Sequence, residues 1–188
     1  MNHPMVWDPP VRLFHWSLAG FFSLAYSLGS DWPAMHTHAG YVVMLLVGFR
    51  IIWGFMGPTH ARFSDFLEPP AETFRYLGAL ARGRPRAHVG HDPAGGMMIL
   101  TLLGSLLVTS FSGVMLHAME GRGPLAGTVV AGWSDRPMVD VHHFASELCL
   151  VLVVIHVLGV LLTSLLTREN LVRAMITGRK PVHGSNEP

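Results

Sequence analysis

The chain has 188 residues, of which 50% are hydrophobic and 13% charged. Soluble domains carry about 25% charged residues, so the composition excludes an ordinary soluble globular domain. The formal net charge is +1 and the lone lysine is Lys180, so no clustered basic surface, and no nucleic-acid partner, is expected. The single Cys149 excludes an intrachain disulfide framework and any Cys-based zinc or iron–sulfur site.

A bilayer core needs about 20 mostly apolar residues per helix. Taken in chain order, the first apolar run is Leu13–Ser30, which has no Asp, Glu, Lys or Arg. Pro9 and Pro10 suit its entry, with Asp8 as a cap. No cluster of positive charge precedes it, and it exceeds a typical signal core, so it reads as a span. The short connection Asp31–Met35 makes spans one and two antiparallel neighbours. The second run, Ala39–Met56, is interrupted only by Arg50. In the long connection that follows, Pro69–Pro70 opens a short amphipathic helix over about 70–82, on the inner membrane surface.

The third run, Ala94–Leu116, has no formal charge, and a Gly-rich outer loop, Ala118–Asp140, follows it. The fourth, Phe144–Thr167, is interrupted only by Glu147, and the tail after Gly178 is polar. With their ends, the spans are placed at about 11–30, 36–56, 94–117 and 141–167. Backbone groups in lipid must bond internally, so helix is the default. The fold class is all-α, an integral membrane four-helix bundle forming one domain over residues 1–188.

Arg12 precedes span one, and Arg62, Arg75, Arg82, Arg84 and Arg86 lie between spans two and three. Arg168, Arg173, Arg179 and Lys180 follow span four. The outer connections hold only Arg122 and Arg136, so the positive-inside rule places both termini in the cytoplasm. Trp32, Trp53 and Trp133 fall near span ends, where interfacial aromatics belong.

There are twelve histidines. A histidine within a span marks a functional site. His142 and His156 lie 14 residues apart on span four. That is about 21 Å along a helix and within about 40° of the same direction. His15 opens span one on the inner side and His36 opens span two on the outer side. The four form an outer pair, His36 with His142, and an inner pair, His15 with His156. Two levels of facing imidazoles are what two bis-histidine haems need. Ala19, Gly20, Gly40, Ala145, Ser146 and Gly159 follow these ligands by about one turn, as small residues beside a porphyrin or at a close helix contact. His38 and His143 stand as alternatives to His36 and His142. His117 reads as an interfacial residue. His3, His60, His88, His91 and His183 fall in loops and tails without an assigned role.

Val6-Trp7-Asp8-Pro9-Pro10-Val11-Arg12-Leu13-Phe14-His15-Trp16 resembles the first-helix signature of prokaryotic di-haem b-type cytochromes. That superfamily includes bacterial cytochrome b561 and the cytochrome b subunit of nickel–iron hydrogenases. His36-x-x-x-Gly40 with Arg50 and Trp53-Gly54-Phe55 resembles the second-helix signature, and Val141-His142-His143 with His156 the fourth. The resemblance implies two haem b groups held by His15, His36, His142 and His156, and it favours His36 over His38. The length is nearer to a stand-alone cytochrome b561 than to a hydrogenase subunit.

It further implies a multi-pass protein of the bacterial inner membrane. Such a protein carries electrons between the quinone pool, ubiquinone or menaquinone, and an outer-face partner. A c-type cytochrome, a dehydrogenase or hydrogenase, and superoxide are the candidate partners. Whether it acts as an electron carrier or as an oxidoreductase on quinone is left open. Arg12 and Arg50 lie at the inner level, where they either pair with haem propionates or snorkel to the interface. Glu147 is either a proton relay to quinone or a hydrogen-bonded structural acid. The rival reading is a transporter that binds metal ions or shuttles protons on intramembrane histidines. It lacks a second acidic ligand within the spans and a broken helix pair.

Overall fold

Proline opens most of the helices. Its missing N–H would be unsatisfied in the first turn anyway, and its fixed φ suits helix entry. The computed structural model describes residues 7–29, 31–83 and 92–179. Its helices are α1 (Pro9–Leu28), α2 (Pro33–Met56), α3 (Phe63–Phe66), α4 (Pro70–Ala81), α5 (Pro93–Met119), α6 (Asp135–Thr167) and α7 (Leu171–Thr177). Two 3-10 turns, Thr59–Ala61 and Val129–Gly132, join them, and no strand occurs among the described residues. Val6 and Ser30, the basic Arg84, Arg86 and Lys180, and His3, His88, His91 and His183 lie outside the described residues.

Among the described residues three helices are long and apolar enough to cross a membrane: α2, α5 and α6. The first expected span is the 20-residue α1, which is not among the three. Arg12, His15, Ser17, Ser23, Tyr26 and Ser27 dilute its apolar run. The short helix expected over 70–82 is α4, ending at Ala81. The fourth apolar segment begins earlier than expected, at Asp135, and α6 runs for 33 residues. At 1.5 Å per residue this is about 50 Å, well beyond a hydrocarbon core of about 30 Å.

The chain divides into two compact units. The first comprises Met1–Leu13, Ile52–Ile99 and Val154–Pro188. Here Trp7 and the first turn of α1 meet α7 and Gly178. The Trp7 amide donates to the Gly178 carbonyl at 3.2 Å. The Arg12 guanidinium donates to the Ile176 carbonyl, and Trp7 packs on Ala174 and Met175. Trp53 Nε1 donates to Asp8 Oδ2 at 2.8 Å. The buried Phe63 ring lies where a Cβ on Gly54 would stand, so Gly54 admits the connecting segment against α2. Thr73 and Tyr76 form the buried face of α4, while Phe74 and Leu77 are exposed. Burial, followed by the charge of Asp92 and a hydrogen bond to it, pushes the Tyr76 phenol above its usual range. Asp92 Oδ1 accepts from the Gly95 amide at 2.8 Å and so caps α5.

Gly178 closes α7 in the left-handed region, at φ +78. A Cβ there would stand 2.7 Å from the Trp7 carbonyl oxygen. Gly178→Ala is therefore expected to cost about 1–3 kcal/mol from backbone strain alone. A lowered thermal midpoint in detergent checks this; an unchanged midpoint would show that the chain ends do not hold each other.

The second unit comprises Phe14–Ile51 and Leu100–Val153. Val43 and Val47 of α2 are buried, as are Leu103, Leu106, Val114 and Met115 of α5. Helices α5 and α6 meet through small and hydroxyl side chains. Cys149 Sγ donates to Ser105 Oγ at 3.1 Å, and Thr109 Oγ1 lies 3.6 Å from the same sulfur. Close approach through small and weakly polar residues is how helices associate where lipid supplies no hydrophobic drive. Of α6, only Ala145 and Cys149 are buried by protein. Its Val151, Val154, Ile155, Leu158, Leu161 and Leu165 are exposed, as a lipid-facing helix requires.

Candidate functional site

His36 stands in the first turn of α2, three residues after the Pro33 entry and half-buried. Its Nδ1 lies 2.9 Å from the Ala25 carbonyl of α1. His142 stands on α6, also half-buried, with Nδ1 2.9 Å from the Thr109 carbonyl of α5 and 3.2 Å from Ser112 Oγ. A carbonyl can only accept, so in both rings Nδ1 carries the hydrogen and Nε2 of the neutral imidazole is a bare lone pair. This is the tautomer that ligates a metal, held by an outer hydrogen bond.

The His36 and His142 rings are 6.0 Å apart between centroids, with planes at 78°. An imidazole nitrogen binds a transition metal at about 2 Å, so two rings on opposite sides of one ion have centres about 6 Å apart. A Cβ added at Gly40, one turn along α2 from His36, would meet nothing within 4 Å, and the same holds at Gly20 of α1. The residues present thus fit an iron porphyrin between two imidazoles. Ala145, read from its spacing as lining a porphyrin or a close helix contact, is 3% exposed, buried on α6 as Cys149 is.

The alternatives stand differently. His38 is exposed and its Nδ1 bonds the Ala34 carbonyl of its own helix at 2.5 Å. His143 is exposed, with its ring 6.5 Å from that of His142. His15 is half-buried on α1 in the second unit, edge-on to Trp16 at 5.1 Å. His156 is half-buried on α6 in the first unit. Arg50 is 3% exposed, a cation held within its helix surroundings and not at an open interface. Arg12 bonds the Ile176 carbonyl, and its Nε is buried without a hydrogen-bond partner among the described residues.

Several residues of the site escaped the sequence reading. Tyr26 of α1 donates to Glu147 Oε1 at 3.0 Å, giving that acid a named partner. Tyr41 Oη lies 2.8 Å from His117 Nδ1. Ala25, Thr109, Ser112 and Gly113 surround the two imidazoles. Of these, only the hydroxyl series Ser105, Thr109 and Ser112 was legible, as a polar stripe at spacings of four and three on an uncharged span. Among the described residues, no group of three or more His, Cys, Asp or Glu side chains is placed to hold a metal ion.

Paired imidazoles with bare Nε2 atoms, carried on helices apolar enough to span a bilayer, are the chemistry of a membrane cytochrome of the b type. The family model described as prokaryotic cytochrome b561 matches residues 6–178, and the chain belongs to that family. It is a multi-pass membrane b-type cytochrome that binds haem b and serves electron transport.

The chain is similar to a protein of Bradyrhizobium diazoefficiens named "Probable Ni/Fe-hydrogenase B-type cytochrome subunit". The two are 25% identical over 93% of this chain and 85% of the relative. Proteins of the same name from Rhizobium leguminosarum bv. viciae and Azotobacter vinelandii are 25% and 28% identical. They align with 93% and 92% of this chain, and with 87% and 86% of their own lengths. No solved structure matches the chain significantly.

Proposed function

We propose that the chain is a four-helix bundle holding two haem b groups and carrying electrons across the inner membrane of a bacterium. Both termini lie in the cytoplasm. In this reading α1 is the fourth span, its polar residues turned toward the cofactors and its neighbours. His36 and His142 hold the outer haem, and His15 and His156, assigned from their depth in the sequence, hold the inner one. When bound, each haem supplies a one-electron Fe(III)/Fe(II) couple. The observation that carries the reading is the opposed His36–His142 pair, 6.0 Å between ring centres, with each Nδ1 fastened to a carbonyl.

Those carbonyls keep each imidazole in one tautomer and one orientation, so ligation costs little reorganisation. Two imidazoles on one haem would occupy the iron positions that oxygen needs, which supports electron transfer over oxygen chemistry. The guanidinium groups of Arg12 and Arg50 pair with propionates, and the buried Nε of Arg12 supports this. Glu147 faces away from His142 by about 140° around α6 and about 7.5 Å deeper. With Tyr26 on one oxygen, its other oxygen accepts the proton that a membrane quinol releases. The relatives' names favour a hydrogenase as the outer-face partner. A c-type cytochrome, another dehydrogenase and superoxide are the other donors and acceptors to be tried.

A redox titration of the purified, full-length protein tests the reading. Two haems per chain and two one-electron components are expected. A folded preparation from iron-replete cells that is colourless, or that carries one haem, would overturn it.

A further inference from the structure

His142 meets α5 at three consecutive features. Its Nδ1 lies 2.9 Å from the Thr109 carbonyl and 3.2 Å from Ser112 Oγ. A Cβ on Gly113 would stand 3.1 Å from its Cε1, tighter than nearly all ordinary contacts, so glycine lets the ring approach the helix. Ser112 is 3% exposed. Its hydroxyl has one hydrogen, with carbonyl acceptors at Val108 (2.7 Å) and Thr109 (3.0 Å). Toward His142 the oxygen therefore serves as an acceptor, and the Nδ1 hydrogen is shared between two acceptors. His36 is treated otherwise. Its Nδ1 has one acceptor among the described residues, the Ala25 carbonyl. The two imidazoles facing each other are thus unequally polarised.

An imidazole whose N–H is drawn by more acceptors gains anionic character and donates more strongly to iron. It favours the ferric state and lowers the reduction potential. We propose that Ser112 is a positioning residue that acts through His142 to hold the potential of the outer haem down, making it the stronger electron donor. This rests on the reading that His142 is an axial ligand.

The experiment is a spectroelectrochemical titration of the full-length holoprotein in detergent, with EPR of the ferric low-spin signals. The component missing from His142→Ala identifies the outer haem. Ser112→Ala is expected to move that component to a more positive potential and to shift its EPR signal, leaving the other component in place. Ser112→Thr, which keeps the hydroxyl, should return it toward wild type. An unmoved outer component, an equal shift of both components, or a shift in Ser112→Thr as large as in Ser112→Ala would overturn the proposal. If Ser112→Ala loses the outer haem, Ser112→Cys, a weaker acceptor, carries the same comparison. Retention of two haems by His142→Ala would instead reject the ligand assignment, before any Ser112 variant is compared.

Discussion

Replacing His142 with Ala should halve the haem content of the purified protein, from two groups per chain to one. The lost group should be the same one lost in His36→Ala, since the two rings face each other 6.0 Å apart. A variant lacking both imidazoles should lose no more than either single variant. His156→Ala and His15→Ala should remove the other component. Changes to groups that merely orient a metal ligand weaken binding by about 10–100-fold. Removing the ligand itself should cost more, enough to empty the site during purification. Pyridine haemochrome assay against protein concentration gives the ratio. Two haems retained in His142→Ala, or different components lost in His36→Ala and His142→Ala, would break the pairing.

Glu147→Gln carries the second large effect. The amide is nearly isosteric and still accepts from Tyr26, so folding and haem content should not change, but it cannot take a proton. Proton transfer by a positioned side chain contributes about 10²–10⁴-fold to rate. Reduction of the haems by a soluble quinol should slow by that order, while reduction by dithionite stays as in wild type. Tyr26→Phe removes one hydrogen bond, worth about 1 kcal/mol, so its slowing should stay within about tenfold. A wild-type quinol rate in Glu147→Gln would leave the Tyr26–Glu147 pair as a structural contact between helices.

The spans show where sequence reading succeeds and where it thins. Helices α2, α5 and α6 carry long apolar runs with at most one charged residue each, Arg50 in α2 and Glu147 in α6, and backbone groups in lipid must bond internally, so helix follows. Helix α1 was legible as a helix from Pro9–Pro10 and its apolar run, yet its polar residues dilute it below the length-and-composition standard of the other three. Prolines marked the starts of α1 and α4 closely, because the ring dictates local φ. The early start of α6 was missed because Asp135, Arg136 and Asp140 read as loop, although nothing in them forbids helix.

At the site, hydropathy and rise per residue gave an expected depth for each histidine, since depth in a bilayer is a one-dimensional quantity. They could not choose between His36 and His38, or between His142 and His143. In the structure His38 and His143 are exposed while the half-buried His36 and His142 rings lie 6.0 Å apart between centres, a matter of helix rotation. The hydroxyl stripe on α5 was written in the sequence, but its use was not. Ser112 matters to His142 only because α5 and α6 meet closely at Gly113.

The amino-acid sequence by itself determined that this is a membrane protein with helical spans and with histidines among their apolar residues. Each of those properties depends on local composition and on repeat distances along one helix. Only the tertiary structure decided which imidazoles oppose each other, which carbonyls hold their Nδ1 hydrogens, and that Tyr26 is the partner of Glu147. Those pairings join residues on different helices, from 11 positions apart for Ala25 and His36 to 121 for Tyr26 and Glu147. They depend on how each helix is turned about its axis, a quantity set by packing between helices.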